Sequence, residues 1–276
     1  MDQTPQKRKD PVESLRQGCE RPWEVEVAPF RVAPRTYYVG NAWVGAYLLE
    51  TSEGLILIDS TMQPQSYLLF EAIRRAGFDP KDIKILLLSH MHYDHVGAAR
   101  VVAEYSGCKV MMSREDYDFL NDRPDMLFDF GYAYGGLRVD GFFDDATPVR
   151  LGDREVTTLL TPGHTPGTTS FFFDAVAADG ARYRCGLHGG VGLNTMSTEF
   201  LKTHNLPMSL QQDYLASLRR LREIEVDIAL GSHPIHVRMF DRVPMITEAF
   251  NPFVAPEVWP EFIDSMIENA ERLFRQ

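Results

Sequence analysis

Ser89-His90-Met91-His92-Tyr93-Asp94-His95 follows directly on the apolar run Ile83-Lys84-Ile85-Leu86-Leu87-Leu88, so a short strand runs straight into four metal-ligating side chains within six residues. In an extended segment alternate residues share a face. His90, His92 and Asp94 are therefore expected to leave the strand end in one direction, with His95 emerging from the turn that follows. Three of the 8 histidines of the chain fall in this one window, which argues against a polar loop that is histidine-rich by chance. Imidazole and carboxylate at this density suit zinc or a neighbouring first-row metal better than calcium or magnesium.

Two later segments offer further ligands at similar strand-to-turn junctions. Thr161-Pro162-Gly163-His164-Thr165-Pro166-Gly167 follows Glu155–Leu160, and its paired Pro-Gly steps make a rigid turn that holds His164 in a fixed direction. Gly231-Ser232-His233-Pro234 follows Val226–Leu230, and the proline keeps His233 out of helical geometry. Alone, each would be a histidine in a loop. Together with the first cluster they make five histidines and one aspartate, enough for two metals.

In order and approximate spacing, His-x-His-x-Asp-His, Pro-Gly-His-Thr-Pro-Gly and Ser-His-Pro resemble the motifs of metallo-β-lactamase-fold hydrolases, over a stretch from about Tyr37 to Met239. The resemblance implies an α/β fold, a four-layer αββα sandwich of two mixed β-sheets with outer helices. It also implies two Zn2+ per chain, or another first-row divalent metal, one held by His90, His92 and His164 and the other by Asp94, His95 and His233. Asp94 would double as the catalytic residue that orients the nucleophile, a metal-bridging hydroxide attacking the carbonyl of a small-molecule substrate.

The stretch Cys185-Gly186-Leu187-His188-Gly189-Gly190-Val191-Gly192 contains no carboxylate. Glyoxalase-type and RNA-processing members place a bridging acid there, and the first subclass of true metallo-β-lactamases a cysteine where Val191 stands. The pattern is most similar to the third subclass, which implies a β-lactamase-like cleavage of a cyclic amide C–N bond. That subclass usually carries serines, which help hold the substrate carboxylate, where this chain has Gly189, Gly190 and Val191. β-Lactam turnover is accordingly expected to be inefficient. A lactonase or thioesterase of the same fold is the alternative. A di-iron redox protein is the third reading, disfavoured because His92 stands where that class typically has glutamate.

The formal charge of −11 over 276 residues, with 44% apolar content, argues for an ordinary enzyme core and against a nucleic-acid substrate. No apolar run approaches a membrane span, and the polar start, without a signal peptide, leads us to expect a cytoplasmic protein, or a periplasmic one if a leader has been removed. Cys19, Cys108 and Cys185 have no CxxC spacing, so reduced thiols are expected. Residues 1–22 read as a polar tail and 23–276 as a single domain.

Strands are expected at 37–39, 46–50, 55–59, 155–160, 168–174, 182–187 and 226–230, and helices at 65–76, from near Gly97, at 113–121 with Ser113 as N-cap, at 209–224 and at 256–274. Asp59, closing Leu55-Ile56-Leu57-Ile58, reads either as a carboxylate orienting a ligand or as a turn cap. His188 reads as a packed strand histidine ahead of an extra ligand or proton shuttle. The aromatic stretch from Phe128 to Phe143, with Tyr132 and Tyr134, offers candidate walls for a substrate pocket, half or more of it being core.

Overall fold

In a computed structural model that describes residues 10–276, the apolar runs assemble into two sheets. The first has the order β1 (Phe30–Ala33), β2 (Thr36–Tyr38), β3 (Tyr47–Thr51), β4 (Gly54–Ile58), β5 (Ile83–Leu87), β6 (Lys109–Met112) and β7 (Gly141–Phe142). It is antiparallel from β1 to β4 and parallel from β4 to β7. The second contains β8 (Val149–Leu151), β9 (Arg154–Leu160), β10 (Thr169–Val176), β11 (Arg182–His188) and β12 (Ile228–Gly231), in spatial order 12-11-10-9-8. Only its β11–β12 pair is parallel.

Strands covered on both faces need apolar residues at every position rather than at alternate ones. Leu55, Ile56, Leu57 and Ile58 of β4 are all buried, as are Ile85, Leu86 and Leu87 of β5. The amphipathic helix Ala99–Ser106 packs against β5 and β6, and the helices Ser209–Arg222 and Val258–Phe274 pack on each other. Trp259 shows how the last helix docks: its Nε1 donates to Leu221 O at 2.9 Å and its ring meets Phe172 of β10 edge-on at 5.8 Å. The result is the four-layer α/β architecture that the motifs implied.

The halves are joined by polar bridges across the core. Buried Arg154 donates to the carbonyls of Pro34, Arg35, Glu50 and Asp174, and Gly45 N donates to Ser232 O at 2.7 Å. Because β4 and β5 are parallel and pair Ile58 with Leu87, both chains leave the sheet at the same edge. This sets Asp59 beside Ser89.

The segment expected as a polar tail is not one throughout. Residues 1–9 lie outside the described residues, but Pro11–Glu20 is a helix, capped by Asp10 Oδ1 accepting from Val12 N at 2.9 Å. Leu15, Gly18 and Cys19 are buried on it; Gly18 O accepts from Gln65 Nε2 at 3.1 Å, and Cys19 Sγ lies 3.5 Å from Met62 Sδ. One short apolar stripe among polar residues leaves little compositional trace, and it becomes a core element only because the Met62–Gln65 surface receives it. Cys19, Cys108 and Cys185 are free and buried. No helix of the described residues is long and apolar enough to cross a membrane.

Candidate metal centre

The five histidines and Asp94 converge at one edge of the sandwich, each carried there by the end of a strand. His90 and His92 follow the end of β5, and His92 is in extended conformation. Asp94 does not share the expected alternation: it lies with His95 in a helical turn, Tyr93–Val96, that begins immediately after His92. The turn, not strand alternation, brings these two side chains beside His90, whose ring lies 4.2 Å from that of His95. His164 comes from the hairpin between β9 and β10, and His233 from the turn after β12.

Two triads result. The ligand atoms of His90, His92 and His164 lie within 4.8 Å of one another, as do those of His90, Asp94 and His95. Asp94 Oδ2 is 3.5 Å from His95 Nε2 and 3.4 Å from His233 Nε2, which draws His233 into the second group. Four of the histidines have one ring nitrogen engaged elsewhere. Nδ1 of His90 meets Ser89 Oγ at 3.1 Å, Nδ1 of His95 meets Asp59 Oδ2 at 2.8 Å, Nδ1 of His164 meets Gly192 O at 2.7 Å, and Nδ1 of His233 meets Trp43 O at 2.9 Å. Such partners hold the proton on one nitrogen and point the other, lone-pair nitrogen at the metal.

Two features fit a pair of metal ions. Among the described residues, buried His95 Nε2 has no hydrogen-bond partner, an arrangement that is costly unless a metal takes it up. His92 Nδ1 and His164 Nε2 face each other at 2.9 Å, so one proton stands between two atoms that would both ligate. Burial holds His90 and His92 well below the usual histidine range, reinforced by neighbouring imidazoles, and lowers His164 to about 4. His233 is lowered too, first by burial. For His95 burial acts in the same direction, but the Asp94 and Asp59 carboxylates outweigh it and raise its pKa. Neutral imidazoles are the form that binds a metal without first releasing a proton.

Asp59 does more than cap a turn, because it accepts from the His95 ring. It is buried, takes φ of 59°, accepts from Ser89 N on Oδ1, and accepts from both Ser89 Oγ and His95 Nδ1 on Oδ2, each at 2.8 Å. Asp and Asn tolerate this left-handed conformation better than most residues. His188 is a packed strand histidine: fully buried on β11, with Nδ1 3.1 Å from Ser170 Oγ and a pKa lowered by burial to about 3.

The candidate aromatic residues divide. Tyr132 donates to Glu20 Oε1 at 2.6 Å, and Tyr134, its hydroxyl buried, meets the Tyr93 ring edge-on at 6.3 Å. Phe128 is the one that reaches the centre, 5.2 Å from the His92 ring; on the other side Trp43 lies 5.2 Å from His233. Trp43 carried no signal in the sequence, because its role depends on a loop 190 residues from His233.

The glycines at 190 and 192 have a steric cause. A Cβ on Gly190 would stand 2.8 Å from the His164 ring and one on Gly192 would stand 2.7 Å from it. The backbone passes flat against His164 to receive its Nδ1 proton, which leaves no room for a serine at either position.

Residues 44–176 match the family model described as Metallo-beta-lactamase superfamily. Over that stretch the chain carries a metallo-beta-lactamase superfamily domain. The solved structure of BJP-1 from Bradyrhizobium japonicum, a subclass B3 metallo-beta-lactamase, superposes with a TM-score of 0.82 at 24% identity, covering 92% of this chain and 96% of that one. Native FEZ-1 from Legionella gormanii gives 0.81 at 28% identity, covering 90% and 95%. Among curated proteins, the N-acyl homoserine lactonase AttM of Agrobacterium fabrum is 35% identical over 109 residues, which are 37% of this chain and 40% of that relative's length. The metallo-beta-lactamase fold thus extends over nearly the whole chain.

Proposed function

We propose that this chain is a binuclear zinc hydrolase that opens a cyclic amide in the manner of a β-lactamase. The observation that carries the reading is the convergence of six donors in two groups that share His90, with His233 beside Asp94 and with Nδ1 of four of the histidines held by a second partner. His90, His92 and His164 would hold one zinc and Asp94, His95 and His233 the other. When bound, the metals supply an acidified water and a Lewis acid for the carbonyl.

The rest falls to the protein. Asp94 Oδ2 faces His95 and His233, so its Oδ1 is the atom left to orient the attacking nucleophile. Trp43 and Phe128 flank the two triads and exclude bulk water from the reacting carbonyl. Gly189, Gly190 and Val191 offer the substrate carboxylate no hydroxyl. Losing such charge-assisted hydrogen bonds weakens binding by about 1–3 kcal/mol, roughly a factor of 10 to 100.

The expected kinetic pattern is therefore measurable β-lactam turnover with a raised KM, another carbonyl compound being the natural substrate. A lactone is the second reading, favoured by the similarity to the Agrobacterium lactonase. Steady-state assays of zinc-loaded protein with a cephalosporin, a carbapenem and an acyl-homoserine lactone separate the two. Turnover of the lactone alone transfers the assignment to lactonase, and a low-KM carbapenemase contradicts the argument from the glycines.

A further inference from the structure

Asp116 has no part in the six-donor set, yet it is a buried carboxylate beside it that accepts from three donors, as Asp59 does. It sits in the first turn of the helix Arg114–Asp122, where it faces the metal edge because β6, which precedes the helix, runs parallel to β5. At this position a carboxylate commonly turns back to the N-cap. Here the cap is made without it, by Ser113 Oγ accepting from Asp116 N at 3.2 Å. The Asp116 side chain is free to bind elsewhere, and it joins two loops. Oδ2 accepts from Met91 N and from Thr165 Oγ1, both at 2.8 Å, and Oδ1 accepts from Gly167 N at 2.6 Å.

Those three donors come from the segments that carry one triad. Met91 lies between His90 and His92, and Thr165 follows His164. His90 and His92 belong to the half of the molecule built on the first sheet, His164 to the half built on the second, so their separation depends on how the halves are joined at this point. We propose that Asp116 is a positioning residue that sets the spacing of the His90–His92–His164 triad and leaves the Asp94–His95–His233 triad untouched. The proposal rests on the binuclear reading above. It adds a selectivity between the two sites that the reading itself does not require.

Asparagine at 116 tests it. A carboxamide presents one acceptor oxygen, so either Met91 N–H or Gly167 N–H is left facing an amino group. Loss of such an orienting partner lowers metal affinity by roughly 10- to 100-fold. Zinc occupancy of each position, measured by anomalous scattering from crystals equilibrated in chelator-buffered zinc, reads the sites separately without any assay of activity. Asp116→Asn is expected to lower occupancy of the His90–His92–His164 site with the other unchanged. Ser113→Ala is the control: it removes the cap and the bond from Ser113 Oγ to Gly167 O, loosening the same helix without touching Met91, and is expected to lower the melting temperature while leaving both affinities at parental values. If Asp116→Asn does not fold, Thr165→Val cuts one bond of the same clamp and is expected to weaken the first site alone. Parental affinity at both sites, or an equal fall at both, overturns the proposal. A parent protein that never binds two zincs refutes the binuclear reading instead.

Discussion

Replacing Asp59 by asparagine should disable both metal sites through ligands it does not itself resemble. The variant preserves shape, and asparagine accepts the φ of 59° at this position, so folding is expected to survive. What changes is the hydrogen-bond arithmetic. Asp59 receives three donors on two oxygens: Ser89 N, Ser89 Oγ and His95 Nδ1. With the carboxylate present, His95 keeps its proton on Nδ1 and aims the lone pair of Nε2 at the metal. Ser89 Oγ, donating to Asp59, is left to accept from His90 Nδ1, which frees His90 Nε2 in the same way. An amino group in place of Oδ2 reverses both. His95 must accept at Nδ1 and carry its proton on Nε2, and Ser89 must donate to His90 with the same result. In the opposite amide orientation, Ser89 N–H meets the amino group instead. Each mismatch costs about 1–3 kcal/mol, which corresponds to roughly 10- to 100-fold in affinity per site and agrees with the effect of removing a carboxylate behind a ligating histidine. Chelator-competition titrations of Asp59→Asn against the parent, with apo-protein thermal melts as the control for folding, measure the effect. Two zincs held at parental affinity would refute the tautomer argument.

His92→Ala and Asp94→Ala should each reduce turnover by several orders of magnitude, since each removes a ligand to the metals that acidify the water, while circular dichroism and melts remain close to the parent; activity within about tenfold of the parent would mean that they are not ligands. Deleting residues 1–20 removes buried Leu15 and the acceptor of Gln65 Nε2, a loss of about 3 kcal/mol or roughly 6–12 °C in Tm, and a melt equal to that of the full chain would return the segment to the status of a tail. Acid should destabilise the metal-free protein: His188 and His164 have folded pKa values near 3 and 4, below the ordinary 6.5, so below pH 6.5 the unfolded chain takes up protons that the folded chain refuses. Their stabilising contribution is complete above pH 6.5 and falls as pH drops toward the folded values, by about 2 kcal/mol for His188 alone between pH 6.5 and 5. His95, raised by Asp94 and Asp59, and Asp116, raised by burial to about 7, act in the opposite sense, stabilising more as pH falls, and they are outnumbered by the five lowered histidines His90, His92, His164, His188 and His233. Urea midpoints that are equal or higher at pH 5 than at pH 7 would contradict this balance.

Much of this protein is decided locally and was therefore legible in its sequence. A strand buried on both faces must be apolar throughout, so Leu55–Ile58 and the run from Ile85 to Leu88 announced themselves, and metal ligands must be of a few residue types, so His90, His92, Asp94 and His95 stood out in one window. The expected helices at 65–76, 113–121 and 256–274 fall within a residue or two of the observed Ser66–Arg75, Arg114–Asp122 and Val258–Phe274, because their stripes and caps are short-range. Other features are set by contacts between residues far apart in the chain, and no short-range pattern encodes those. The helix Pro11–Glu20 has too little apolar surface to identify itself and is defined by the surface that receives it. Asp94 was expected to alternate with His90 and His92, but a helical turn starting at Tyr93 redirects it. Asp59 could be read from the sequence only as one of two alternatives, and Trp43 and Asp116 carried no signal of the metal site there; the parallel pairing of β4, β5 and β6 and the closure of the two sheets bring them against His95, His233 and the backbone of Met91. Residue type and local spacing suffice to name the groups that can bind a metal. Which nitrogen each histidine offers, and at what separation, depends on hydrogen bonds across 28, 36 and 190 residues, and those exist only once the chain has folded.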